Sequence, residues 1–135
     1  MDIERRYDEE IIASVFTLVA DIIDPERGVP LSTLNVVSEE RVLLKRLPNG
    51  MKQITVVIKP TVPKCSFASE LGLMIWMKLA QVPNKEKLKF KLAFEPGSHE
   101  LELELTRKLN DKERVASALE DENVINTLQR FVNSE

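Results

Sequence analysis

The sequence predicts an α/β (α+β) domain: a small mixed sheet with one parallel βαβ unit, an N-terminal helix before it and C-terminal helices after it. Three observations carry that expectation. Ile11, Ile12, Val15, Phe16, Val19, Ile22 and Ile23 recur at helical spacing near the start of the chain. Two β-rich runs, residues 41–47 and 52–59, flank Pro48-Asn49-Gly50, and Asn-Gly between such runs is a strong hairpin signal. Then 52–59, an apolar helical stretch over 66–81 and an alternating run over 87–94 read as strand, helix, strand. A right-handed crossover makes the two strands parallel neighbours.

Taken in order, the first helix carries Asp8, Glu9 and Glu10 in its first turn, where the helix dipole favours anions. It ends at Asp24-Pro25, because the residue before proline is pushed out of the α region. Residues 34–37 read as a short strand, followed by the hairpin. In Pro60-Thr61-Val62-Pro63-Lys64-Cys65 two prolines forbid regular structure. The helix over 66–81 follows. In the strand over 87–94, Leu88, Phe90, Leu92 and Phe94 take one face and Lys87, Lys89 and Lys91 the other. Glu95-Pro96-Gly97-Ser98-His99 is a turn. Leu101, Leu103 and Leu105 alternate with Glu102 and Glu104 as a strand would. Leu101, Leu105 and Leu109 nevertheless share a helical face, and Leu and Glu are better helix formers, so helix is expected. Asn110-Asp111-Lys112-Glu113 reads as a capping box with Asn110 at the N-cap of a helix running through Leu119. Val124, Ile125, Leu128, Phe131 and Val132 form the apolar face of a last helix.

Composition narrows the function classes. A chain of 135 residues, 43% hydrophobic and 30% charged, is expected to fold as one globular domain over 1–135 rather than remain disordered. A net charge of −3 argues against nonspecific binding to nucleic acid or an anionic membrane. One cysteine can form no intrachain disulfide and cannot alone build a four-ligand metal site. The longest largely apolar stretch, 11–20, is about half of what a bilayer span needs. The opening Met-Asp-Ile-Glu-Arg-Arg lacks the features of a secretory signal, and Asp2 stands where myristoylation needs Gly. With the lone thiol, this points to a reducing compartment.

Chemistry is expected where parallel strands end, since ligands bind beyond their carboxyl ends in open α/β sheets. The loop after 52–59 carries Cys65 and the loop after 87–94 carries His99, so the only cysteine and the only histidine are expected on one sheet edge. Cys65 stands beside Lys64 at the start of a helix, and both favour the thiolate. The plainer readings are a small buried hydrophobe for Cys65 and a turn or helix cap for His99. A thiol enzyme with Cys65 as nucleophile and His99 as base is the alternative from another class. No nucleophile elbow and no Gly-rich phosphate loop appears among four glycines. In the 66–81 helix, Ala68, Leu71, Gly72, Ile75 and Leu79 cover one face. Leu73, Trp76, Met77 and Ala80 cover another, which reads either as a protein-docking patch or as a surface under residues 101–132. Lys87, Lys89 and Lys91, with Lys85, read either as an attractor of acidic partners or as a solvated face that guards against edge aggregation.

Five segments, in order and spacing, resemble one family: Asp21-Ile22-Ile23-Asp24-Pro25-Glu26; Leu34-Asn35-Val36-Val37; Pro60-Thr61-Val62-Pro63-Lys64-Cys65-Ser66 with Gly72-Leu73; Pro96-Gly97-Ser98-His99; and Leu109-Asn110-Asp111-Lys112-Glu113-Arg114-Val115. The similarity is to the cytosolic iron-sulfur assembly component 2 family, also described as mitotic-spindle-associated proteins, and runs from about Asp21 to Val132. The resemblance implies an adaptor rather than an enzyme, a subunit of the cytosolic iron-sulfur targeting complex that helps hand clusters to cytosolic and nuclear apoproteins, with a role in chromosome segregation. It implies a WD-repeat propeller subunit, a HEAT-repeat scaffold and client apoproteins as partners, in the cytoplasm and also the nucleus. The family's reactive cysteine falls on Cys65 and its Pro-Gly-Thr-His turn on Pro96 to His99, with Ser98 in place of threonine. Lys64 stands where relatives usually carry histidine, so that any metal-ligand role of that imidazole is either absent or shifted to His99. Thr106 and Lys108 replace an asparagine and a glutamine. No tightly bound cofactor is expected, only a transient iron-sulfur cluster, iron or zinc on Cys65 and His99. One thiolate and one imidazole leave a tetrahedral site two ligands short, so stable binding needs a homodimer, a domain swap or a partner's ligands.

Overall fold

Three β-rich runs form the sheet, and the register between them decides which face is buried. The computed structural model describes residues 2–24, 27–59, 68–82, 87–95 and 102–132. Strands β1 (Val42–Arg46), β2 (Lys52–Ile58) and β3 (Leu88–Phe94) lie in the order β1-β2-β3. β1 pairs antiparallel with β2, and β2 pairs parallel with β3 from Lys52↔Leu88 to Ile58↔Phe94. The parallel pair and the hairpin are those the sequence predicts. Leu47 and Met51 close the hairpin around Pro48-Asn49-Gly50. The Leu47 N–H donates to the Met51 carbonyl at 2.8 Å, and the Gly50 N–H donates to the Leu47 carbonyl at 3.1 Å. Gly50 has φ 85°, the left-handed conformation that ends a three-residue hairpin loop.

Among the described residues five α-helices complete the fold, α1 (Asp2–Ala20), α2 (Ala68–Leu79), α3 (Glu102–Leu109), α4 (Lys112–Glu120) and α5 (Glu122–Val132), with a short 3-10 turn over Glu39–Arg41 before β1. Strand residues alternate between faces. Val42, Ile54, Val56, Ile58, Leu92 and Phe94 are buried, all on one side, with Val15 and Val19 of α1, Leu71, Met74, Ile75 and Leu79 of α2, and Leu128 and Val132 of α5. On the opposite side Leu43, Lys45, Lys89 and Lys91 are exposed. The helices therefore form a layer on one face of the sheet and leave the other to solvent. Helix over 102–109 is the outcome that the helix-forming residues favour over the two-residue period.

Residues 34–37 are not a strand. The segment turns instead: Leu34 N–H donates to the Pro30 carbonyl, Asn35 N–H to that of Ser32 and Val36 N–H to that of Leu31. Asn35 sits at φ 59°, a left-handed conformation that asparagine tolerates better than most residues and a strand does not admit. Val36 and Val37 are buried as plugs rather than paired in the sheet, and the Val36 carbonyl accepts the Lys59 N–H just beyond β2.

The helix cap also falls one residue later than expected. Asp111 is the N-cap of α4, its Oδ1 accepting from the N–H groups of Glu113 (3.1 Å) and Arg114 (3.2 Å). Asn110 turns to the sheet. Its Oδ1 accepts the Leu92 N–H at 2.9 Å, and its Nδ2 donates to the Leu92 carbonyl at 2.6 Å and the Thr106 carbonyl at 2.7 Å. Thr106 Oγ1 accepts the Phe94 N–H at 3.2 Å. Two side chains thus pair with backbone groups on the edge of β3 that faces away from β2, the groups an edge strand otherwise leaves open.

Candidate functional site at the exits of the parallel strands

Parallel pairing brings the ends of β2 and β3 together. Ile58 and Phe94 are register partners, and the Glu95 N–H still donates to the Ile58 carbonyl at 2.8 Å after β3 has ended. The chain leaves both strands side by side, about 4.8 Å apart, the ordinary spacing of neighbouring strands. The first exit leads into residues 60–67 and the second into 96–101. Cys65 and His99 fall in these segments, which lie outside the described residues, as does Lys64.

Both segments are followed in the chain by helices that touch. The segment 60–67 runs into α2 and 96–101 into α3. Trp76 on α2 donates its indole Nε1–H to the Leu109 carbonyl at 2.7 Å. A Cβ on Gly72 would lie 2.5 Å from Leu109 Cδ1 and Cδ2, so the absence of a side chain at 72 is what lets Leu109 seat against α2. The two segments therefore leave from adjacent strand ends and return into packed helices.

Glu70, in the first turn of α2, is a described carboxylate close in sequence to Cys65 that sequence reasoning passed over. It is half-buried, and its Oε2 is buried without a hydrogen-bond donor among the described residues. The acid preference of helix first turns was the available signal. Among the described residues no group of three or more His, Cys, Asp or Glu side chains is arranged to hold a metal ion.

Leu73, Trp76 and Met77 are not an exposed patch. All three are half-buried and pack against the core, because α3 and α5 lie over this face of α2. Covering by the C-terminal segment is the arrangement found. Met77 also lines an apolar groove of about 270 Å³ with Ala80, Leu119, Ile125 and Val132.

The fold is thus a two-layer α/β domain whose adjacent parallel strand exits feed the segments that carry its only cysteine and only histidine. No family model matches the chain. It is 41% identical over 125 residues to cytosolic iron-sulfur assembly component 2B of Dictyostelium discoideum, covering 93% of this chain and 74% of that protein. It is 38% identical over 122 residues to protein AE7 of Arabidopsis thaliana, covering 90% and 74%. With MIP18 family protein galla-2 of Drosophila melanogaster it shares 34% over 119 residues, covering 87% and 73%. The chain belongs to the family of MIP18 and cytosolic iron-sulfur assembly component 2 proteins.

Proposed function

We propose that the protein works in cytosolic iron-sulfur assembly as a non-enzymatic adaptor of the targeting complex, bridging a WD-repeat propeller and a HEAT-repeat scaffold to client apoproteins in the cytoplasm and nucleus. The observation that carries this reading is identity of up to 41% along most of the chain to proteins named for that assembly. Its chemistry follows from the residue types. Lys64, its neighbour in sequence, favours loss of the Cys65 proton, and a thiolate is the form that ligates iron. His99, in the segment leaving the neighbouring strand, is the natural second ligand. Two ligands leave iron incompletely coordinated, which suits a contact made during transfer rather than a permanent site. The cluster is cargo, and the remaining ligands come from donor, client or a second copy of the chain by dimerisation or domain swap. A contribution to chromosome segregation follows through nuclear clients.

The test is an anaerobic purification of tagged protein and its Cys65→Ser variant from their own cytosol. Recovery of propeller and scaffold proteins with both forms, but of iron and iron-sulfur clients with the wild type only, is the expected outcome. Absence of both scaffolds overturns the adaptor reading. Turnover of an ester or thioester by the isolated protein, lost in Cys65→Ser, replaces it with a thiol enzyme using Cys65 and His99.

A further inference from the structure

The sheet has two faces of unlike chemistry, and the helices use one. Leu43, Lys45, Gln53, Thr55, Val57, Lys89, Lys91 and Ala93 make up the other. Register sets them in rows across the three strands: Lys45, Gln53 and Lys89 in one, Leu43, Thr55 and Lys91 in the next, then Val57 beside Ala93. Strand spacing puts the Cα atoms of Lys45 and Lys89 roughly 10 Å apart and those of Lys89 and Lys91 roughly 7 Å apart. The three lysines are exposed, and Leu43, in the row of Lys91 and next to Lys45 along β1, is 52% exposed.

The three strands contain no Asp or Glu, although the whole chain is negative at −3. Glu95, just past β3, is the acid that follows the lysine row in sequence. The basic strand residues on the helix side, Arg46 and Lys52, both pair with Asp8, at 2.7 and 2.6 Å. Lys45, Lys89 and Lys91 make no ion pair among the described residues. Lysines alone on an edge would read as protection against aggregation. Here Lys45 and Lys89 span the sheet, with the central strand's Gln53 between them and apolar Leu43, Val57 and Ala93 adjoining.

We propose that this open face docks an acidic protein segment, whose carboxylates pair with Lys45, Lys89 and Lys91 while an apolar side chain rests on Leu43 and Val57. Nucleic acid fits the face less well. It presents neither arginine nor an aromatic ring, the groups that grip phosphate bidentately and stack on bases. Phe90 and Phe94 belong to the opposite face, and a long polyanion also meets the chain's net negative charge. The inference is independent of any role for Cys65.

Fluorescence anisotropy of the full chain tests it, using a short labelled peptide of glutamates interspersed with leucines, a single-stranded oligonucleotide of matched length and phosphatidylserine vesicles. The peptide is expected to bind at low salt, and a Lys45→Gln, Lys89→Gln, Lys91→Gln variant to weaken it about tenfold, as loss of three exposed pairs implies. A control variant, Lys108→Gln, Lys112→Gln, Arg114→Gln, removes equal charge from α3 and α4 and is expected to change binding less than about twofold. Equal loss in both variants overturns the proposal, because net charge then explains the binding. Tighter binding of the oligonucleotide or vesicles through the same lysines also overturns it. Chemical-shift mapping on the wild type gives a second reading that needs no variant. Shifts centred on Leu43, Thr55 and Lys91 support the site, and shifts centred on the helices overturn it.

Discussion

Asn110 carries more of the structure than its place in a cap-like motif suggests. Its side chain makes three hydrogen bonds, two of them to the edge of β3, so a truncation leaves the Leu92 N–H and carbonyl without these partners. Asn110→Ala is expected to cost about 2–3 kcal/mol, the penalty of several half-buried polar groups losing their partners. Asp111→Ala, which removes only the cap, should cost about 1 kcal/mol. Urea denaturation of the two variants compares them, and the reverse order would return the cap to Asn110. The motif Asn-Asp-Lys-Glu announced a helix start in the sequence, and a helix does start there. Which of two adjacent cap-competent residues serves it depends on a β-strand that is distant in sequence, and no local rule contains that information.

At the scale of elements, the Asp8 carboxylate of α1 pairs with both strands of the hairpin. Asp8 receives Arg46 Nη2 from β1 and Lys52 Nζ from β2, with its own side chain only 15% exposed, and Lys52 also stands 4.8 Å from the Tyr7 ring centroid. Burial pushes the Asp8 carboxyl upward, but the hydrogen bonds and positive charges of Lys52 and Arg46 outweigh it and hold the group below the usual aspartate range. A depressed pKa in the folded state adds stability that is complete above the unfolded value of about 3.9 and is lost as pH falls through the lowered one. Asp8→Asn should therefore lower the thermal midpoint at neutral pH and flatten its decline below pH 4, which calorimetry across that range checks. The elements themselves were legible wherever period and turn chemistry agreed, as in the hairpin and in β3. They were misread at 34–37, where apolar side chains are buried by turns, a pattern that looks the same as a strand in a short window. The second face of α2 admitted two readings because an all-round apolar helix does not say what covers it.

Across the whole molecule, one buried cluster joins α1, the sheet, α2 and α5, and Trp76 sits against it with its indole bonded to α3. As the only tryptophan it reports on that junction. Its fluorescence should be blue-shifted in the native state and change together with far-ultraviolet circular dichroism on denaturation; an earlier fluorescence transition would mean that the C-terminal helices separate first. The candidate site was legible to the extent that topology governs it: parallel strands imply adjacent exits, and the register from Ile58 to Phe94 supplies them. The role proposed for Cys65 and His99 rests on the chemistry of a thiol and an imidazole, which period and packing do not encode. The pairing of Asn110 and Thr106 with the outer margin of β3 has one more consequence. A sheet capable of recruiting strands on both sides can polymerise edge to edge, whereas a margin whose Leu92 and Phe94 groups are already bonded resists a new neighbour along that stretch, so the Asn110 and Thr106 side chains also work against aggregation.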